Sequence, residues 1–452
     1  MTTTKTVQNK MGTEPVGKLL ASMAWPAILS MTMTALYNVV DSVFVAMVSK
    51  EALTAVSLVL PVQLLMISMA VGSSIGVNSL ISRRLGAEKY DEADKAASTS
   101  VRIGVFNFII FALVGLFFAK PFMGLYTDNP VVYNDGVIYF RMITMLSIFS
   151  MQEFQLTKVL QATGNMVAPM IISSSGIVTN IILDPVFIFG LFGMPRLEVA
   201  GAALATVLGQ CVSFSIAIYI LKTKEHMVHI KLKGFKTDWK TIKDIYGVGL
   251  PSIVMQSINS VMLLGYNAII AASPTAVAVL GIYYKLQTFV FMPVFGLNQG
   301  AMPIMGYNFG AKDKDRLMKT YKYALTAAFC IMTTGLIVFQ IIPDVFLKLF
   351  NADEEMMKMG VHALKIISIS FVPASFGIMT STLFQGTGHG VYSLVASLIR
   401  QLFGILPIAY VLYHAVGINA SWASFPLAEI FGFLYTATML IRLYKKEIKH
   451  LK

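Results

Sequence analysis

Two aspartates stand where apolar residues surround them on both sides. Asp41 lies in Leu36-Tyr37-Asn38-Val39-Val40-Asp41-Ser42-Val43-Phe44-Val45, and Asp184 in Thr179-Asn180-Ile181-Ile182-Leu183-Asp184-Pro185-Val186-Phe187. A carboxylate in hydrocarbon is costly unless it faces a cavity or a partner. Asn180 precedes Asp184 by one helical turn and so shares its face. Pro185 removes a backbone donor and frees carbonyl groups that a cation or water can use. Thr206, in Ala202-Ala203-Leu204-Ala205-Thr206, adds a hydroxyl. Two carboxylates, an amide and a hydroxyl form either a set of hard oxygen ligands for Na⁺, placed on Asp41, Asn180 and Asp184, or a carboxyl pair that carries H⁺. The competing reading is structural: each carboxylate closes a polar network between helices.

The elements that must position these groups are membrane helices. Hydrophobic residues make up 56% of the 452 and charged residues 13%, whereas about a quarter of a soluble chain is charged. Spans need about 20 predominantly apolar residues each. Six are expected in the first half, near 17–45, 53–82, 95–119, 132–159, 166–190 and 199–221. Six follow near 241–271, 275–307, 318–342, 359–385, 391–414 and 418–443. The first follows Lys5, Lys10 and Lys18 as a secretory signal would, but its length and lack of a cleavage pattern mark a retained helix. Cys211 and Cys330 stand alone in apolar stretches, so neither a disulfide framework nor a metal site is indicated.

A net charge of +12 would suit nucleic acid, but the basic residues cluster between the spans. Arg83, Arg84, Lys89 and Lys95 mark the loop after the second span. Lys312, Lys314, Arg316, Lys319 and Lys322 mark the loop after the eighth. Lys222, Lys224, Lys231, Lys233, Lys236, Lys240 and Lys243 mark the linker after the sixth, and Lys445, Lys446, Lys449 and Lys452 the tail. The positive-inside rule therefore puts both termini in the cytoplasm, and the linker's cationic run reads most simply as a topology signal against lipid headgroups, with a regulatory partner site as the alternative. Counted from that side at about 1.5 Å per residue, Asp41 and Asp184 fall in the outer half of the membrane, where Thr206 on a descending span also lies.

The chain says nearly the same thing twice. Gly310 follows Gly86, and Gly388 follows Gly164, by 224 positions each, while Trp25-Pro26-Ala27-Ile28 returns as Leu250-Pro251-Ser252-Ile253. A duplicated membrane bundle points to transport, with sites at the interface of the repeats. The expected fold is an all-α membrane protein of twelve transmembrane helices in two six-helix lobes related by a parallel repeat. The lobes are expected at 1–221 and 241–452, joined by a cytoplasmic linker at 222–240.

The helix ending Tyr37-Asn38-Val39-Val40-Asp41, the loop Arg84-Leu85-Gly86-Ala87, Gln161-Ala162-Thr163-Gly164-Asn165, Asn180-Ile181-Ile182-Leu183-Asp184-Pro185 and Gly201-Ala202-Ala203-Leu204-Ala205-Thr206 resemble the multidrug and toxic compound extrusion (MATE) family. The resemblance covers almost the whole chain in order. It implies lobes around a central cleft in the plasma membrane and export of amphipathic, often cationic, drugs in exchange for H⁺ or Na⁺. By the same resemblance Asp41, Asn180, Asp184 and Thr206 are the cation-coupling residues. No catalytic residue, no cofactor beyond the coupling ion and no obligate protein partner is expected. Some relatives carry carboxylates in the C-terminal lobe, but here Asp41 maps onto Tyr266 and Asp184-Pro185 onto Leu406-Pro407.

Tyr37, Asn38, Glu153, Gln256 and Tyr266 are the candidate substrate-cleft residues. Lys285, Arg400 and Glu429 are either structural pairs or cleft residues, and the 28 methionines suit a surface that repacks around varied ligands, although each taken singly reads first as ordinary lipid-facing filler. A lipid-linked saccharide flippase of related plan would carry Arg or Lys for a pyrophosphate, whereas the first lobe is acidic within its spans. A major facilitator would carry Gly-x-x-x-Asp-Arg-x-Gly-Arg where Ser82 to Asp91 stand. An intramembrane aspartyl protease would show a Gly-x-Gly-Asp context that is absent, and no Gly-x-x-x-x-Gly-Lys-Ser/Thr loop offers ATP drive.

Overall fold

The computed structural model describes residues 9–223, 227–231, 238–350 and 352–451. Lys5, Lys224, Lys233, Lys236 and Lys452 of the basic clusters lie outside the described residues. The described chain is helical and contains no strand. Its first-half helices are α1 Val16–Ala46, α2 Lys50–Gly86, α3 Tyr90–Tyr126, α4 Pro130–Met145, α5 Ile148–Ala162, α6 Val167–Phe189 and α7 Glu198–Thr223. The second half repeats them as α8 Trp239–Ile270, α9 Pro274–Gly310, α10 Lys314–Ile341, α11 Glu354–Ser368, α12 Phe371–Gly386, α13 Gly390–Ala415 and α14 Ser424–Lys446.

Ten described helices are long and apolar enough to cross a membrane, and α11 with α12, bent by 44°, makes an eleventh crossing. The remaining expected span, 132–159, is broken in the same way into α4 and α5. The break falls at Leu146-Ser147 in the first copy and at Ile369-Ser370 in the second. Both pairs start from an Asx cap that satisfies free first-turn donors. Asn129 Oδ1 accepts from Val131 N at 2.9 Å, and Asp353 Oδ1 accepts from Met356 N at 2.8 Å.

Backbone geometry repeats with the sequence. Glu88 and Lys312, both 224 residues apart and both past a helix end, take left-handed φ of 58° and 62°. Gly164 and Gly388 take 88° and 95°, and Gly193 and Gly417 take 81° and 120°. A left-handed residue is the usual way to end a helix and satisfy its last carbonyl groups. Identical stops at constant spacing keep the two copies in register.

The described chain divides into two compact units that interleave along the sequence. One gathers the described residues up to Ile28, Ser82–Glu88 and everything from Val254 onward; the other holds Leu29–Ile81 and Lys89–Ile253. In the first unit Gly86 packs on the Tyr307 carbonyl and Gly310 on the Arg83 carbonyl, each close enough that no side chain fits. Arg83 and Tyr307 are themselves 224 apart, so α2 and α9 meet in one reciprocal contact. Arg316 Nη2 donates to the carbonyls of Met11 at 3.0 Å and Glu14 at 2.8 Å, tying the chain start to α10.

In the second unit the described part of the linker, 227–231, docks on α3. His229 N donates to Asp94 Oδ1 at 2.7 Å and Lys231 N to Ser98 Oγ at 2.9 Å. The same unit packs α6 on α7 through small residues, which let membrane helices approach closely. A Cβ on Gly209 would stand 2.7 Å from the Gly176 carbonyl oxygen, and one on Gly201 would stand 2.6 Å from Phe187 backbone. This contact sets how near the side chains of α6 come to those of α7.

Gly209→Leu is expected to force α6 and α7 apart and to lower the melting temperature of purified protein by roughly 5 °C or more. Gly247→Ala, at a helical position with no neighbour within 4 Å of an added Cβ, should leave it unchanged or slightly raised. Thermal unfolding in detergent compares the two.

Candidate functional site

Three helices of the second unit carry the polar cluster. α6 offers Asn180, 3% exposed, and Asp184, fully buried. α7 offers Thr206, and α1 offers Tyr37 and Asp41, four residues apart and hence on one face. In the amide orientation that satisfies every partner, Asn180 Nδ2 donates to Asp184 Oδ2 at 2.9 Å. Asn180 Oδ1 then accepts from Thr206 Oγ1 at 3.3 Å and Thr206 N at 2.9 Å. The Tyr37 hydroxyl lies beside the Thr206 side chain, and the carboxyl groups of Asp41 and Asp184 are neighbours within electrostatic reach of each other.

That last contact defines the chemistry. Two carboxylates so placed repel each other unless a proton or a cation lies between them. No cationic side chain pairs with either carboxyl among the described residues. Asp184 Oδ1 is buried without a donor. An orphaned carboxyl oxygen beside a second carboxyl offers hard oxygen ligands of the kind a hard cation takes. The same atoms accommodate H⁺ when the pair shares it. Pro185 lies next to Asp184 inside α6 and lacks the N–H that would otherwise bond one turn back.

Sequence reading missed Tyr139. It projects from α4, is 4% exposed, and lies within electrostatic reach of Asp41, Tyr37 and Asp184. Its position in Val137-Ile138-Tyr139-Phe140 looks like core packing. Only the fold of α4 against its neighbours brings it to the cluster.

The candidate cleft residues scatter. Tyr37 is in the cluster, whereas Asn38, its neighbour, is exposed. Glu153 sits on α5, where Ser173 Oγ of α6 donates to its Oε1 at 3.4 Å. Gln256 lines a cavity of about 410 Å³ in the other unit, together with Arg400 and Glu429. There Arg400 Nη1 donates to Glu429 Oε1 at 3.3 Å, so the two form a pair and also face open space. Tyr266, the counterpart of Asp41, is enclosed: it stacks on Trp422 at 5.8 Å, and its hydroxyl bonds Ser421 Oγ at 3.2 Å. Lys285 joins neither charge and lies 5.7 Å over the Phe350 ring.

A membrane-spanning helical bundle built twice is an architecture found among transporters. The chain belongs to the MatE family, the MATE transporters, whose model matches residues 26–186 and again 251–411. It is similar to a multidrug export protein MepA from Staphylococcus haemolyticus, 26% identical over 416 residues that cover 91% of this chain and 90% of that one. It is also similar to an FAD transporter from Shewanella oneidensis, 24% identical, with 92% of each chain covered. Among solved structures, a multidrug resistance MATE family transporter of the MOP superfamily in its outward-facing conformation matches with a TM-score of 0.90. Identity is 26%, over 98% of this chain and 99% of that one. A MOP superfamily transporter from Pyrococcus furiosus, reported with reversed polarity of its binding pocket, matches equally at 0.90 and 26%, over 98% and 100%. The twelve-helix, two-lobed membrane fold is thus the fold of this protein.

Asn180→Leu strips Asp184 Oδ2 of its amide donor and is expected to cost about 2 kcal/mol, whereas Tyr37→Phe removes one neutral hydroxyl and should cost about 1 kcal/mol. Unfolding of the two variants side by side checks the order.

Proposed function

We propose that this protein is a secondary active multidrug efflux antiporter, exporting amphipathic and often cationic compounds in exchange for H⁺ or Na⁺. The observation that carries the reading is the Asp41–Asp184 carboxyl pair, which is linked through Asn180 to Thr206 and has no acidic counterpart at Tyr266 or Leu406. A scaffold that is duplicated but a cation site that is not gives one lobe the coupling and both lobes the motion. The name multidrug export, carried by several of the relatives, supports drug efflux.

The proposed cycle is alternating access. A form open to the cytoplasm takes up substrate, the protein reopens outward, and H⁺ or Na⁺ at Asp41 and Asp184 favours the form from which substrate has left. Coupling requires the cation and the substrate to prefer different forms, because a ligand with equal affinity for both shifts nothing. The carboxyl pair supplies such a preference. With its cation it is close to electrically satisfied; without it, two like charges share a buried site and the helices carrying them gain by rearranging. α1 is the element placed to respond, since Asp41 and Tyr37 ride on it above Pro26, where one helix hydrogen bond is missing.

The proposed setting is the plasma membrane with both termini cytoplasmic, as the Lys and Arg of the loops after α2, α7 and α9 require. Small-molecule drugs or organic cations and membrane lipid are the proposed partners. The lipid-linked saccharide flippase is set aside because a pyrophosphate would have to pass an acidic cluster. Hydrolysis by the two aspartates is set aside because the Gly-x-Gly-Asp context of that class is absent and a duplicated bundle is unnecessary for it.

Purified protein in proteoliposomes should drive dye efflux under an imposed pH gradient or an imposed Na⁺ gradient, each applied alone; whichever gradient works names the ion. Asp41→Asn and Asp184→Asn should each abolish this flux and the drug resistance of cells, with the protein still present in the membrane. Full activity in both variants would sink the coupling site.

A further inference from the structure

The cavity of the C-terminal copy has no part in the coupling just described, and its walls are unlike a lipid-facing surface. Six carboxamide side chains line it, Gln256, Asn259, Gln287, Asn298, Gln385 and Gln401. Between them stand the aromatic rings of Tyr284, Phe291 and Phe295. Its volume, about 410 Å³, is in the range that encloses drug-sized ligands. A polar lining of this density inside a membrane bundle is paid for in stability and so asks for an occupant.

Three observations say what kind. First, the Arg400 guanidinium has five donors, yet among the described residues its one hydrogen bond is the 3.3 Å contact with Glu429 Oε1. Its side chain stays 25% exposed although it lies within a membrane span. Second, Gln401, only 7% exposed, lines the same cavity with its Oε1 unpartnered. Third, Arg400 and Gln401 both sit in a π-helical stretch, Leu398–Ile405, inside α13. Pro407 follows it and lacks the N–H that an α-helix would use at that point. Widened turns of this kind are rare and concentrate at functional sites.

The charges of the cavity cancel. A cation entering would have to displace Arg400 from Glu429, whereas a planar anionic oxygen pair can add to guanidinium donors that are still uncommitted. We propose that this cavity is a second ligand site, for aromatic amphiphiles that present a carboxylate to Arg400 while the surrounding amides bond their other polar groups. Glu429 holds the guanidinium in place and neutralises it when the site is empty. The site selects a class of compound that an acidic cluster around Asp41 and Asp184 would repel. Its use in export rests on the transport reading above, but ligand binding does not.

Equilibrium binding of dansyl-phenylalanine and of its methyl ester, followed by dansyl fluorescence on purified protein without any ion gradient, tests the proposal. The wild type should bind the free acid more tightly than the ester. Arg400→Gln should weaken the acid by about tenfold or more and leave the ester within about twofold. Glu429→Gln should keep or tighten binding of the acid. If Arg400→Gln does not fold, Arg400→Gln/Glu429→Gln removes both charges together and should show the same loss. Equal binding of acid and ester by the wild type, or unchanged binding of the acid by the Arg400 variants, would overturn the proposal. Such a result would leave the flux test of Asp41 and Asp184 standing, and full flux in Asp41→Asn would leave this one standing.

Discussion

The rest of the structure depends on keeping two carboxyl groups together inside an apolar bundle. In hydrocarbon neither can exist alone as a charge without heavy cost, and two of them repel unless a cation or proton lies between. Each remaining feature of the site follows from that constraint. Asn180 gives Asp184 a donor, Thr206 receives the other end of the amide, and Tyr37 completes the ring of hydroxyls. The amide reaches the hydroxyl because α6 and α7 touch backbone to backbone at Gly176 and Gly209. Glycine is used there for proximity and not for a special φ.

Duplication supplies a scaffold, and divergence supplies function. The broken helices α4/α5 and α11/α12, the left-handed stops at Glu88 and Lys312, and the reciprocal contacts of Gly86 and Gly310 recur because both copies meet the same packing demands. Position 41 of the first copy and its counterpart 266 in the second diverge completely. One holds an aspartate in a polar cluster; the other holds a tyrosine stacked on Trp422 with Phe425 tilted against it. The second copy instead opens a cavity around Arg400 and Glu429. Equivalent helices therefore carry a carboxyl pair in one half of the molecule and line a polar hollow in the other.

Much of this was legible in the residues. The spans followed from runs of apolar residues, with one physical exception: the expected 132–159 and 359–385 are each two short helices, because Ser147 and Ser370 stand at breaks that composition does not reveal. Asp41, Asn180 and Asp184 stood out because ionisable and amide groups in apolar runs need a reason. Tyr139 did not, since a tyrosine among valine, isoleucine and phenylalanine looks like filler. Gln401 and the π-helical turn that presents it were likewise hidden, because the hydrogen-bond register of a helix is not written in its composition.

By itself the sequence determined the solvent, the repeat and the inventory of polar groups within the spans, since each of these depends on residue type and spacing alone. Which of those groups meet was decided only by the tertiary structure. Helices that are far apart in the chain come together by side-chain volume at their crossings, so Gly176 and Gly209 place Asn180 beside Thr206, while Tyr266 is sealed under Trp422 and Arg400 is left facing a cavity. Spacing along one helix is a local property; contact between helices is a property of packing, and the carboxyl pair exists through packing.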